Sequence, residues 1–230
     1  MARLNVEWQM VDMRHSVHKQ VGAFLKGCRT NRQEIAIKHT SLQIIRDEHS
    51  SLAAMLRSMN MMVERGPGDH PAQFFDVLRA MLFYIDEFPE RLHHPKESNL
   101  LFPRVVRASA SVMAVVRQLE RDHMDSEKAV RELQHLLLAW ELLGEPRRAA
   151  FAAQCKLYVA FYLEHMRLEE TIILPEAEKV LLDSDWKELD AAFEKNCDPL
   201  TGKYPPDPAY DRLFTRIVMR APAPIGLGDS

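Results

Sequence analysis

The stretch His165-Met166-Arg167-Leu168-Glu169-Glu170 places an imidazole and a carboxylate four residues apart. A helix turns about 100° per residue, so positions i and i+4 share one face, one turn apart. Phe151, Cys155, Tyr158, Tyr162, His165, Glu169 and Ile172 recur at helical intervals, which puts both groups in the apolar stripe of a helix predicted over about 147–174. Such a stripe is costly unless the polar groups are paired or bound to a metal. The stretch His93-His94-Pro95-Lys96-Glu97 repeats the spacing. Two more segments each bring one histidine. His49 follows Leu42 and Ile45 and precedes Leu52, Leu56, Met59 and Val63; His123 lies among Val112, Val116, Leu119, Ser126, Val130, Leu133 and Leu137. Two helices that carry an imidazole and a carboxylate, facing two that carry an imidazole, can cage a pair of metal ions.

Working outward, Thr40 and Gln43 fit a capping box that opens the His49 helix, and Gly66-Pro67-Gly68 closes it. A second helix is predicted over 72–88 with Phe74, Leu78, Met81, Ile85 and Phe88 inward; Pro89 and Pro95 then predict a kink or a fresh helix start. The His123 helix spans about 111–143 and stops at Gly144-Glu145-Pro146. Short links between long amphipathic helices imply antiparallel neighbours. The expected fold is all-α, an up-down antiparallel four-helix bundle over residues 40–182. An extra N-terminal helix (about 6–27, within a segment 1–39) precedes it, and a helical, Pro-rich extension over 183–230 follows, with helices near 185–195 and 209–219.

Length and composition exclude much else. A chain of 230 residues suits one domain with terminal extensions, and 47% hydrophobic residues with only 8 glycines favour helices. The net charge of −3 gives no nucleic-acid footprint, and no apolar run approaches membrane-spanning length. Cys28, Cys155 and Cys197 form neither a metal-binding pair nor a disulfide framework, which favours a reducing, cytoplasmic setting. No glycine-rich phosphate loop, GxSxG elbow or zinc-finger spacing occurs.

The other candidates carry less. His15 and His18 fall outside the four helices, His39 and His70 sit beside turns, and His135 is more than three turns from His123. His94 stays open: adjacent helical residues diverge by about 100°, but a break at Pro95 would let both His93 and His94 reach the metals. Glu170 and Lys96 read as solvated surface and Cys155 as packing. Tyr158 and Tyr162 read as packing too, with a hydroxyl that supports the ligands as the alternative.

Four segments together resemble the hemerythrin-like, HHE cation-binding family of non-haem di-iron bundles. They are Ile45 to His49, the run from His93 to Pro103 (HHPKESNLLFP), Leu119 to His123, and the run from His165 to Pro175 (HMRLEETIILP). The resemblance implies that His49, His93, His123 and His165 are terminal nitrogen ligands to two iron ions, and that Glu97 and Glu169 bridge them. Manganese or zinc suits the same donors. The oxygen-carrying hemerythrins bear a further histidine where this chain has Leu119, so a coordination site is left open unless His94 fills it. The implied partner is O2, NO or peroxide, bound or sensed. The alternatives are turnover of peroxide or NO, ferrous iron oxidation, and iron buffering or storage. The N-terminal helix and the tail leave two readings, a cover for the bundle or a homodimer interface.

Overall fold

The computed structural model describes residues 39–198, 200–201, 210–222 and 225–226, and its regular elements there are helices. The helix expected over 6–27 lies outside the described residues. Helix α1 (Thr40–Arg65) buries the predicted stripe from Leu42 to Val63, with His49 in it. The Thr40–Gln43 capping box does not form. Gln43 bonds Asp47 at 2.8 Å, and the Asp190 carboxylate instead accepts from Ser41 N and Oγ at 2.7 and 2.6 Å. The free N–H of Ser41 at the helix start is thus satisfied from 149 residues away, by a tertiary neighbour rather than by its own turn. At the other end Gly66, at φ 81°, takes the left-handed backbone that suits glycine and bonds back to Met62 O.

Helix α2 (Pro71–Ile85) shows neither a break nor a fresh start at the prolines. The chain stays helical through π turns at Asp86–His93, an α turn at His94–Lys96, further π turns at Glu97–Leu101, and α3 (Phe102–Ala108). A proline has no N–H and its ring crowds the turn before it. The wider π turn changes the backbone register locally, and such turns concentrate at functional sites. Helix α4 (Met113–Leu143) follows a short 3-10 turn; α5 (Arg148–Leu168) runs through π turns at Glu169–Ile173 into α6 (Leu174–Val180). Helices α7 (Asp183–Phe193) and α8 (Asp211–Arg220) end the described elements.

Packing pairs α1 with α2, α2 with α4, α4 with α5, and α5 with α1, a closed circuit. The interior holds two apolar cores. One includes Leu56, Leu78, Leu133, Trp140 and Phe151, and the other Leu42, Phe102, Leu119, Ile173 and Phe193. On the helical segments of the circuit the polar layer falls between them: Ile45 and Leu52 flank His49, Phe88 and Leu101 flank His93 and His94, Leu119 and Val130 flank His123, and Met166 and Ile173 flank Glu169, with His165 just before Met166. The order in which the chain passes the two cores reverses from each helix to the next. Each fully buried Leu or Phe contributes about 1.5–3 kcal/mol, which offsets the cost of the polar layer between them.

Candidate metal centre

The seven sequence-predicted donors converge in that layer. His94, Glu97, His123 and His165 form one group and His49, His93, Glu97 and Glu169 another; within each group the ligand atoms lie within 4.8 Å of one another, and every residue is buried. The carboxylates join the groups. Glu97 turns Oε1 to His93 Nε2 at 3.0 Å and Oε2 to His123 Nε2 at 3.5 Å. Glu169 turns Oε2 to His49 Nε2 at 3.2 Å and Oε1 to His165 Nε2 at 3.3 Å. His94 belongs fully: its ring stacks on His123 with centroids 4.0 Å apart, and its Nε2 lies 3.2 Å from the Tyr162 hydroxyl. The π turns on both sides of His94–Lys96 let two adjacent histidines serve one centre. His94 thus brings a nitrogen from the neighbouring element into the group of Glu97, His123 and His165, where position 119 carries a leucine.

Four of the five imidazoles are held from behind at Nδ1 by a hydrogen bond. His49 pairs with Glu170 at 3.1 Å, His93 with Glu48 at 2.6 Å, His94 with Glu90 at 3.1 Å and His123 with the Ser98 hydroxyl at 2.9 Å. Asp122 Oδ2 stands 3.5 Å from His165 Nδ1, an ion-pair contact rather than a hydrogen bond. A second partner at Nδ1 fixes the tautomer and aims Nε2 at the centre. Sequence reading assigned Glu170 to solvated surface, yet it orients His49, because the π turns at Glu169–Ile173 bring both adjacent glutamates to the same imidazole. Glu48, Glu90, Ser98 and Asp122 were missed. Glu90 had a legible signal, since it precedes His94 by four residues; it also accepts from Tyr162 Oη at 2.7 Å and Ser126 Oγ at 2.9 Å. Tyr162 thus supports the ligands through Glu90. Lys96, also expected on the surface, is half-buried and donates to Asn196 Oδ1. His39 stacks on Trp186 at 4.2 Å, and burial pushes the Cys155 thiol up to about 12, as befits packing.

The electrostatics fit a cation. Both oxygens of Glu97 and of Glu169 are buried without a hydrogen bond, as is His93 Nε2. The 3.0 Å approach of His93 Nε2 to Glu97 is close but poorly directed for one. Buried carboxylates left this way are costly unless a positive charge faces them. Burial raises the proton affinity of Glu169, but the imidazoles of His165 and His49 prevail and hold its carboxyl well below the usual range. Glu97 is lowered too, with His93 and His123 outweighing burial and the Glu169 charge. Burial and the neighbouring His123 and His165 hold His94 well below its ordinary value, so it is the neutral imidazole that ligates metal. Burial opposes charge on His165, yet Glu169 and Asp122 lift it to about 10. Protons and a metal ion compete for such a nitrogen.

A cavity of about 20 Å³ adjoins the centre, lined by His49, His93, His94 and His165 and, among others, by Tyr162, Glu48, Tyr84, Asn196 and Asp198. One water needs at least about 10–15 Å³ on this measure. The space admits a water or a small inorganic molecule.

Residues 40–177, more than half of the chain, match the family model described as the hemerythrin HHE cation binding domain. No curated protein matches the chain.

Proposed function

Because this chain belongs to the hemerythrin HHE cation-binding family, we propose that its buried cluster holds two iron ions and binds O2, NO or peroxide in the adjoining cavity. One observation carries this: Glu97 and Glu169 each divide their two oxygens between the same two sets of imidazoles. A carboxylate placed so spans two cations, and no single-ion site needs it twice. His94, His123 and His165 would hold one ion and His49 and His93 the other, with the carboxylates shared. The second set has one nitrogen fewer, which would leave room for the small ligand. Bound iron supplies reversible one-electron chemistry and a coordination position for that ligand.

The chain's own residues do the rest. Glu48, Glu90, Glu170 and Ser98 set the tautomers of the imidazoles, and the two apolar cores exclude bulk water. The scaffold is the up-down antiparallel four-helix bundle over 40–182, supported by the closed packing circuit and by the reversal of core order from helix to helix. A second reading, turnover of peroxide or NO rather than reversible binding, is favoured by a proton-bearing group at the cavity: burial pushes Asp198 up to about 7.

Protein loaded anaerobically with ferrous iron should contain about two irons per chain, and Glu169→Ala should hold fewer than one while its helical circular dichroism persists. An unchanged iron content in the variant would sink the bridging assignment, and no iron in the wild type would sink the whole reading. Exposure of the reduced protein to O2 then separates a stable adduct from turnover in the presence of a reductant.

A further inference from the structure

The family match ends at residue 177, yet chain beyond it reaches the metal centre. Helix α7 packs along α1, caps its first turn through Asp190, and sets the Phe193 ring edge-on to His93 with centroids 5.9 Å apart. The turn that follows buries Asn196 and Asp198 on either side of the exposed Cys197.

Asn196 Nδ2 donates to Glu48 Oε2 at 2.9 Å, and His93 Nδ1 donates to that same oxygen at 2.6 Å. Lys96 Nζ donates to Asn196 Oδ1. These partners fix the amide's orientation, since an ammonium only donates and an ionised carboxylate only accepts. One hydrogen-bonded chain therefore runs from the Lys96 ammonium through Asn196 and Glu48 to a ligand imidazole, and its middle link comes from outside the family domain.

We infer that Asn196 is a positioning residue that tunes the metal pair through His93. The inference rests on the metal-pair reading given above. Two donors share Glu48 Oε2, so charge drawn by the amide is withheld from the His93 proton. Lys96 polarises the amide and strengthens that withdrawal. Without the amide, Glu48 pulls harder on Nδ1–H and His93 becomes a more basic ligand. A more basic ligand favours the higher oxidation state, so the midpoint potential falls. The extension is in this way part of the centre and sets its redox poise.

Iron counting and anaerobic redox titration of the full chain, loaded with ferrous iron, test this separately from the metal-pair reading. The wild-type iron count reports on that reading, and the potentials of the variants report on Asn196. Asn196→Leu should keep about two irons and lower the reduced-to-oxidised ratio at the wild-type midpoint roughly tenfold, about 59 mV for one electron. Asn196→Gln, which retains an amide donor, should move the potential back towards wild type. Lys96→Met should lower the potential in the wild-type background and have little effect beside Asn196→Leu, because its influence passes through the amide. A fully loaded Asn196→Leu with unchanged potential overturns the inference. So does loss of iron with helical circular dichroism intact, since Asn196 would then hold the site rather than tune it. Should the leucine variant fail to fold, Asn196→Ser carries the same expectations.

Discussion

The two halves of the centre are built differently. His94 and His123 are oriented by Glu90 and Ser98, and Asp122 stands in ion-pair range of His165, all on the helical segments of the packing circuit. His49 and His93 lean on Glu170 and Glu48, and Glu48 is held in turn by Asn196 from beyond those segments. The first half has three nitrogens and is anchored by the domain itself. The second has two, and its support reaches into the extension. The difference teaches that two groups of donors joined through two carboxylates need not be supported alike: one is backed by the bundle, the other also by chain beyond it.

The comparison can be broken at several levels. The largest effect should come from removing metal altogether, because both halves then keep buried carboxylates with no cation to face. Ligand binding at a thousand times Kd contributes about 4 kcal/mol, so chelation should lower Tm by roughly 10 °C in a scanning calorimeter. A Tm that ignores chelation would mean the cluster is satisfied as it stands. Next, His94→Leu removes the third nitrogen of the better-anchored half and equalises the two. Iron content should fall from about two towards about one per chain, whereas His135→Leu, outside the cluster, should leave it unchanged. Equal iron content in both variants would remove His94 from the ligand set.

The smallest effect concerns Asp198, beside the cavity. Its carboxyl accepts from Tyr84 Oη at 2.7 Å and from Leu200 N at 2.8 Å, and burial raises it from 3.8 to about 7. The folded chain then binds that proton more tightly than the unfolded one. The stability it contributes is full below about pH 4 and is lost as pH rises to about pH 7. Denaturant unfolding of metal-free wild type and Asp198→Asn should therefore show the variant gaining on wild type between about pH 4 and pH 7. A difference that does not change with pH would show that Asp198 stays ionised.

Much of this was legible in one dimension. The stripes that carry His49, His123, His165 and Glu169 are periodic, and periodicity reports which face of a helix is buried. The segment from Asp86 to Leu101 was harder to read, since the prolines announce a disturbance without saying which kind. A kink, a fresh start and a π turn all relieve a missing N–H, and only packing chooses among them. That choice settled His94, whose neighbour His93 would point elsewhere in a regular α turn. Glu170 lies on the surface, as its place in the sequence predicts, and only its contact with His49 was illegible, because that depends on the π turns that begin at Glu169.

The amino-acid sequence by itself determined the helices, the donor types and their four-residue spacings, because these follow from local geometry and the cost of burying charge. Tertiary structure alone decided how the carboxylates divide their oxygens, which acid orients each imidazole, and that Asp190 and Asn196 serve helix α1. Those contacts join residues more than 140 positions apart. A hydrogen bond across such a span has no period and no local propensity; it exists only once two faces have been packed together.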